Sequence, residues 1–186
     1  KNYNFFDINS FLLKNNFKVI AISRKKIKSK KDITFKKFNF SMKKDFESLD
    51  KIFKRIDYLI HLASVIPNKT GNFNSKKSRM TNIYFKKLLA KWALKKKVFF
   101  IFFSTASIYK ANTKKKRNEK SHVISMPAGG KYALQKYSCE KYLFKLKKKG
   151  LKLLIIRPTS IYGYVQHDKT FLARYLNKLK SNQELI

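Results

Sequence analysis

The chain has 186 residues, which is enough for one domain of ordinary size or for part of a larger protein. Hydrophobic residues make up 44% of it and include 17 Phe, so it can bury a substantial core. The single cysteine, Cys139, excludes an internal disulfide and a cysteine-rich metal site. No apolar run reaches membrane-spanning length and no signal peptide is visible, so we expect a cytoplasmic protein with no membrane partner.

The formal net charge of +35 invites a nucleic-acid interpretation. The lysines, however, are spread through almost every segment, and Asn, Phe and Ile are abundant as well. This pattern favours a bias toward A/T-rich codons over a surface selected for polyanions. We therefore do not expect a nucleic-acid partner.

Apolar patterning in the first sixty residues predicts a helix, two strands, a second helix and a third strand. Their predicted bounds are 5–15, 17–23, 33–40, 45–54 and 57–63, with a lysine-rich loop at 25–31. The last strand (DYLIHLA) is almost continuously apolar, as in a parallel sheet covered on both faces. This order of elements is typical of an α/β domain.

The second half continues the alternation, with helices predicted at 78–96, 131–149 and 170–180 and strands at 98–103 and 152–157. The hydroxyl residues Ser104 and Thr105 follow the strand at 98–103. This is the end of a strand at which α/β sheets bind ligands. The same residues also suit the cap of a helix or turn, and composition does not choose between the two roles.

Tyr132 and Lys136 lie four residues apart and would share one face of the helix at 131–149. A lysine ammonium beside a phenol favours the phenolate and lowers a pKa that is normally near 10. Such a phenol can act as a general acid or base toward a hydroxyl. In so lysine-rich a chain the spacing also arises by chance, and Tyr137 with Lys141 repeats it.

Other residues give the pattern its specificity. In order and spacing the chain resembles the extended short-chain dehydrogenase/reductase family, which contains the NAD-dependent nucleotide-sugar epimerases and dehydratases. The resemblance runs from about Phe11 to the C-terminus. It rests on DYLIHLAS at 57–64, Asn82, FFSTASIY at 102–109, Tyr132-x-x-x-Lys136-x-x-x-Glu140 and IRPTSIYG at 156–163. The glutamate four residues after Lys136 matches the family, whereas Lys141 is followed by Lys145, so the resemblance selects Tyr132 over Tyr137.

The resemblance implies an α/β fold, a Rossmann-like doubly wound parallel sheet. It implies that Tyr132 is the catalytic acid/base, that Lys136 lowers its pKa and binds the nicotinamide ribose, and that Thr105 binds the reacting substrate oxygen. His61 in the same signature is expected to pack rather than react. The remaining implied cofactor contacts are Ser23, Arg24, Leu62, Ala63, Ser64, Asn82, Ser104, Pro158 and Thr159, and Ser160 would face the substrate. Ser160, Lys110 and Gln135 depart from the family's usual residues, which puts the substrate class in question.

The segment Ser23-Arg24-Lys25 follows the first predicted strand, where a NAD-binding fold usually places an acidic residue on the ribose. A basic segment there can accept the extra phosphate of NADP. The cofactor is therefore expected to be NAD or NADP, with NADP favoured.

No glycine precedes Gly71, so the glycine-rich phosphate loop and the first strand of a dinucleotide-binding fold are not found. We interpret residues 1–186 as a partial NAD(P)-binding Rossmann domain, incomplete because its first strand is absent, with residues 164–186 beginning the substrate-binding portion. The strands at 17–23 and 57–63 would then lack ladder partners. This polypeptide alone is expected to fold poorly, to bind dinucleotide weakly and to be inactive; a cooperative thermal transition with tight NADPH binding would contradict that expectation.

The expected function is part of an NAD(P)-dependent epimerase, dehydratase or reductase that acts on a nucleotide sugar. The alternative is a catalytically decayed member of the family that binds nucleic acid or another polyanion through its basic surface. A salt-dependent gel shift discriminates between the two. A homodimer through the helices near 78–96 and 131–149 is expected from the same resemblance.

Overall fold

The computed structural model of the chain describes residues 3–23, 32–38, 48–53, 55–66, 75–109, 118–121, 130–159 and 171–181. Within these ranges the helices are α1 (Tyr3–Lys14), α2 (Leu49–Ile52), α3 (residues 75–95), α4 (Gly130–Lys147) and α5 (Phe171–Lys180). The strands are β1 (Val19–Ser23), β2 (Ile33–Lys37), β3 (Tyr58–His61), β4 (Phe99–Phe103) and β5 (Leu153–Ile156). None of these helices is both long enough and apolar enough to cross a membrane.

Each of these helices and strands corresponds to a predicted one, and most ends agree to within three residues. The second helix was predicted at 45–54. In the described residues it covers Leu49–Ile52. The predicted loop at 25–31 lies outside the described residues. The apolar patterns therefore suffice to predict the order and type of these elements.

The chain forms two compact units, one made of Lys1–Phe38 and Ser160–Ile186 and the other of Asn39–Thr159. In the first unit β1 and β2 pair in parallel, from Val19 opposite Ile33 to Ser23 opposite Lys37. Helix α1 contacts β1. This unit also contains α5.

The second unit contains a three-stranded parallel sheet in the order β3-β4-β5. Its central strand has the sequence FFIFF, and the side chains of Phe100 and Phe102 are fully buried. Helices α3 and α4 are the crossover connections on either side of β4 in the chain and contact each other. The predicted α/β class with parallel sheets is confirmed.

Helix α3 is interrupted by one wide turn, the π-helical segment Met80–Tyr84 that joins Ser75–Arg79 to Phe85–Lys95. The Phe85 N–H donates to the Met80 carbonyl five residues earlier instead of four. Such turns occur often at functional sites. Asn82 lies inside this one and is fully buried.

Three helices end on a residue with positive φ: Asn16 after α1 (62°), Lys97 after α3 (57°) and Gly150 after α4 (97°). In each case the next residue's N–H donates to a carbonyl five residues earlier, at 3.0, 2.9 and 3.0 Å. This is the Schellman arrangement, which reverses the chain into the following strand. Only Lys97 of the three is a residue type that disfavours the conformation.

Candidate functional site

The carboxyl ends of β3, β4 and β5 lie at one edge of the sheet because the three strands are parallel. Two hydrogen bonds continue the pairing of β4 with β5 beyond the strands. The Ser104 N–H donates to the Ile156 carbonyl at 2.7 Å, and the Ala106 N–H donates to the Pro158 carbonyl at 2.9 Å. The edge therefore brings together four predicted site residues: Ser104, Thr105, Pro158 and Thr159.

The turn after β3 forms the next part of this edge. Leu62 and Ala63 are exposed and Ser64 is partly buried. Asn82 of α3 fixes the turn, because its Oδ1 accepts from the Val65 N–H and its Nδ2 donates to the Val65 carbonyl, both at 2.8 Å. The predicted asparagine thus binds the backbone of Val65, the residue that directly follows the predicted turn residues.

Asn82 is also the centre of a buried network between α3 and α4. Its Nδ2 donates to Gln135 Oε1 at 2.8 Å, and Gln135 Nε2 donates to Ser78 Oγ at 2.9 Å. The Cys139 thiol donates to the Asn82 carbonyl at 2.9 Å. Gln135, which the sequence marked only as a departure from the family, is therefore one of two α4 residues, with Cys139, that bind Asn82.

Tyr132 and Lys136 share one face of α4, as predicted, and the Lys136 Nζ lies 5.6 Å from the centre of the Tyr132 ring. Only 2% of Lys136 is exposed. Its ammonium donates to the Phe103 carbonyl at the end of β4 and lies 5.1 Å from the centre of the Phe102 ring. Helix α4 thus places the buried ammonium of Lys136 and the half-buried phenol of Tyr132 at the carboxyl edge of the sheet.

The electrostatics of Tyr132 differ from the sequence-based expectation. Burial raises the pKa of the phenol above its usual value of 10, and a hydrogen bond with the Ser64 hydroxyl offsets part of this rise. Lys136 does not lower the phenol's pKa in this arrangement, because its ammonium is directed at the Phe103 carbonyl. Tyr132 is therefore a protonated phenol at neutral pH.

The two hydroxyl residues after β4 have different environments. Thr105 Oγ1 accepts from the Ser107 N–H at 3.1 Å and so caps the short 3-10 helix Ala106–Ile108. Ser104 is buried, and its hydroxyl oxygen makes no hydrogen bond within the described part of the chain. The capping role that composition allowed for Thr105 is thus present, while Ser104 retains unused hydrogen-bonding capacity.

A second buried lysine, Lys86 on α3, is a site residue that sequence reasoning missed. Only 2% of it is exposed, and its Nζ donates to Ser64 Oγ at 2.9 Å. Burial lowers the pKa of Lys86 to about 7, helped by the positive charge of Lys136; burial also lowers the pKa of Lys136 to about 8. A signal existed in the sequence, since Lys86 falls four residues after Asn82 on the apolar stripe that continues to Ala90 and Ala93.

Buried Lys86 should lower the stability of the fold at low pH. Its folded pKa lies below the unfolded value near 10.5, so the unfolded state binds more protons between about pH 7 and 10.5 and stability rises with pH over that window. We expect Lys86→Met to increase the free energy of unfolding by roughly 2 kcal/mol at or below pH 7. The advantage should shrink as the pH approaches 10.5.

Urea unfolding of both proteins across this pH range measures the effect. The exposed Lys91 on the same helix offers the control substitution Lys91→Met, which should leave the pH dependence unchanged. A Lys86→Met protein that is less stable than the wild type near pH 6 would contradict the prediction.

His61, at the end of β3, lies between two aromatic rings, with centroid distances of 6.3 Å to Phe100 and 6.4 Å to Phe102. Burial, together with the charges of Lys86 and Lys136, holds its pKa well below the usual 6.5. The imidazole is therefore neutral. This environment agrees with the packing role expected for it.

Glu140, which distinguishes Tyr132 from Tyr137 in the family resemblance, forms a buried ion pair. Its two oxygens accept from Arg157 Nη2 at 2.7 Å and from Arg157 Nε at 3.1 Å. Arg157 Nη1 also donates to the Tyr109 hydroxyl at 2.7 Å and to the Glu119 carbonyl at 3.0 Å. The pair therefore joins α4 to the segment after β5 and holds Pro158 at the edge of the site.

The described residues leave three predicted contacts, Ser23, Arg24 and Ser160, untested. Ser23 ends β1 in the other compact unit. Arg24 and Ser160 lie outside the described residues, as does Lys110. The structure thus brings the predicted residues of the second unit to the carboxyl edge of the three-stranded sheet and leaves the basis of the NADP prediction untested.

Comparisons with known proteins agree with this geometry. A family model described as Epimerase, NAD dependent epimerase/dehydratase family, matches residues 8–186. A search of curated proteins finds no match.

Solved structures give a more detailed comparison. A UDP-glucose 4-epimerase from Thermotoga maritima, crystallised with UDP-glucose, is 26% identical with a TM-score of 0.75, covering 96% of this chain and 60% of its own. The Thermus thermophilus UDP-glucose 4-epimerase complexed with NAD is 18% identical with a TM-score of 0.76, and the same shares are covered. A UDP-glucuronic acid 4-epimerase from Bacillus cereus, also with NAD, is 20% identical with a TM-score of 0.72, covering 95% and 59%. The chain has the Rossmann-like fold of these proteins and spans about three fifths of their length.

Proposed function

Since the chain belongs to the NAD dependent epimerase/dehydratase family, we propose that it is part of an enzyme that interconverts nucleotide sugars with NAD or NADP, with Tyr132 as the acid/base. The observation that carries the proposal is the convergence of Tyr132 and buried Lys136 on the carboxyl edge of the three-stranded sheet. In α/β sheets this edge binds ligands. Among epimerisation, dehydration and reduction we favour epimerisation, because the structural neighbours named above are 4-epimerases.

The residues at this edge fit the nicotinamide end of a dinucleotide. The buried Ser104 hydroxyl has capacity for a polar ligand, and the exposed Leu62–Ala63 turn leaves room along β3. Pro158 and Thr159 complete the edge on the far side of β4. Such a cofactor supplies hydride transfer when bound.

Within this proposal the chain's own groups handle the proton and the orientation of the reactants. Tyr132, protonated at neutral pH, gives its proton to the sugar oxygen in one direction and accepts it in the other. Thr105 orients that oxygen with its hydroxyl. Lys136 supplies a buried cation for the ribose hydroxyls, in place of its present contact with the Phe103 carbonyl.

The finer assignments are part of the same proposal. Neighbours crystallised with NAD support that dinucleotide as the cofactor class, while Ser23 and Arg24 favour NADP.

Exposed apolar side chains on α3 and α4, among them Tyr84 and Phe144, support a homodimer through these helices. The free, buried thiol of Cys139 is consistent with a location in the reducing cytoplasm.

Cofactor titration of the full-length protein, with the C4 epimerisation of UDP-sugars as the activity assay, tests the proposal. We expect Lys136→Met to weaken the binding of NADH and NADPH by about tenfold or more, because a hydrogen bond from a charged group contributes roughly 1.5–3 kcal/mol. Lys145→Met, which removes an exposed lysine from the same helix, is the matched control and should bind normally. Equal affinity of Lys136→Met and wild type, or no binding of either dinucleotide, would overturn the proposal.

A further inference from the structure

The wide turn of α3 is bound by two side chains of α4. Asn82, inside the turn Met80–Tyr84, donates from Nδ2 to Gln135 Oε1 at 2.8 Å, and its backbone carbonyl accepts from the Cys139 thiol at 2.9 Å. Gln135 and Cys139 lie four residues apart on α4, so they share one face of that helix. These hydrogen bonds fix the position of α4 along the wide turn.

The same hydrogen bonds fix the orientation of two side-chain amides. Asn82 Oδ1 accepts from the Val65 N–H, so Nδ2 is the donor, and it reaches both the Val65 carbonyl and Gln135 Oε1. The other end of the Gln135 amide, Nε2, donates to Ser78 Oγ at 2.9 Å. Asn82 and Ser78 are fully buried, and Gln135 is 8% exposed. A buried donor that loses its acceptor costs its full desolvation penalty, so each of these hydrogen bonds supports the others.

The two ends of this network carry parts of the site that have to stay in register. At one end Asn82 binds the backbone of Val65, which directly follows the predicted cofactor turn Leu62–Ser64. At the other end Gln135 lies on α4 three residues after Tyr132. Gln135 therefore links the helix that carries the proposed acid/base to the turn proposed to lie along the dinucleotide.

We propose that Gln135 is a positioning residue for the reaction, which acts through Asn82 to hold the cofactor turn in place relative to the Tyr132 face of α4; this rests on the function proposed above. Both ends of the Gln135 amide are hydrogen-bonded within the protein, so it acts through its neighbours. Fixed supporting residues keep reacting groups in the narrow geometry that transfer requires. A displacement of about 1 Å can lower a rate roughly a hundredfold.

Hydrogen exchange of the Val65 amide in the full-length protein tests this role without any turnover. Gln135→Met keeps the length of the side chain but leaves one buried N–H of Asn82 without its acceptor, so rotation of the Asn82 amide away from Val65 becomes less costly. We expect the Val65 amide to exchange about tenfold faster. Leu146→Ala, which removes a buried apolar side chain further along α4, is the control for general destabilisation. Exchange at the wild-type rate in Gln135→Met, or equally fast exchange in Leu146→Ala, would show that Gln135 does not hold the turn.

Two further variants test the path and cover the case in which Gln135→Met does not fold. Ser78→Ala removes the acceptor of Gln135 Nε2 but leaves the bond between Asn82 and Gln135, so the Val65 amide should exchange faster by about two- to fivefold. Adding Gln135→Met to Asn82→Ala should cause little further increase, because the two residues act in one path. An unchanged rate in Ser78→Ala, or a further tenfold increase in the double variant, would contradict the path.

Steady-state kinetics of the full-length protein then separates positioning from substrate binding. Gln135→Met should lower kcat by about tenfold to a hundredfold and leave the KM for the nucleotide sugar within about twofold of wild type. Leu146→Ala should keep both values. A wild-type protein without turnover would overturn the proposed function, while hydrogen exchange would still show whether Gln135 holds the turn. If Gln135→Met kept the wild-type kcat, or lost only KM, the positioning role would be wrong.

Discussion

Replacing Tyr132 by phenylalanine should lower the turnover of the full-length protein by about 10²- to 10⁴-fold, the usual contribution of a positioned general acid or base. The Tyr132 ring lies 5.6 Å from the Lys136 Nζ, whose ammonium donates to the Phe103 carbonyl at the end of β4. Dinucleotide affinity should stay near the wild-type value, because the ring and the Lys136 ammonium remain. Steady-state kinetics and cofactor titration of the same preparation measure both quantities.

The chain supplies a matched control for this substitution. Tyr137 and Lys141 have the same spacing on the same helix, and the Lys141 Nζ lies 4.9 Å from the centre of the Tyr137 ring. Tyr137, however, packs against the small cluster of Ile108, Tyr109 and Ala133. Tyr137→Phe should therefore leave turnover within a small factor of wild type. If both variants lost turnover equally, or if Tyr132→Phe kept it, the acid/base assignment would be wrong.

Replacing Glu140 by glutamine should reduce the free energy of unfolding by about 3 kcal/mol, the largest stability effect we expect from a single substitution in this chain. The Glu140 carboxylate is fully buried, and the side chain of Arg157 is only 16% exposed. Removing the negative charge leaves the guanidinium largely buried without its counter-ion. The hydrogen bonds with Glu140 are the main reason that the pKa of Arg157 lies above its usual value, so the arginine stays charged.

Urea unfolding monitored by circular dichroism measures the loss, and a second ion pair provides the comparison. Asp50 and Lys96 pair at 2.9 Å with their side chains 49% and 38% exposed. Asp50→Asn should therefore change stability far less than Glu140→Gln, because solvent screens an exposed pair. The double variant Glu140→Gln with Arg157→Met should recover part of the loss, since it no longer buries an unpaired charge. A loss for Glu140→Gln as small as that for Asp50→Asn would show that the buried pair contributes little.

Much of the fold could be predicted from the sequence because its signals are local. Alternating and continuous apolar runs depend on the period of a strand or helix, so they located β1 to β5 and the long helices without knowledge of their partners. The residues at which the helices end were harder to predict. Asn16 and Gly150 are residue types that adopt positive φ readily, whereas Lys97 gives no such indication.

The site was predictable only as far as its residues follow a recognisable order along the chain. That order placed Tyr132, Lys136, Thr105, Ser104 and Asn82 at one edge, and the structure brings them there. It could not reveal that Gln135 bridges Asn82 to Ser78, because that contact joins residues far apart in the sequence. Lysine abundance concealed Lys86, because its place on the apolar stripe of α3 is a weak signal among so many solvated lysines and the tertiary packing was needed to show its burial.

By itself the sequence determined the α/β class and the alternating order of helices and strands, because both depend on spacing along the chain. The tyrosine–lysine pair was selected by the resemblance to a known family, since its spacing alone also occurs at Tyr137 and Lys141. The tertiary structure decided the chemistry of that pair. Burial raises the pKa of Tyr132, the Phe103 carbonyl accepts a hydrogen bond from Lys136, and a second buried lysine, Lys86, donates to Ser64. A pKa depends on desolvation and on neighbours brought together by folding, so no spacing rule could have supplied it.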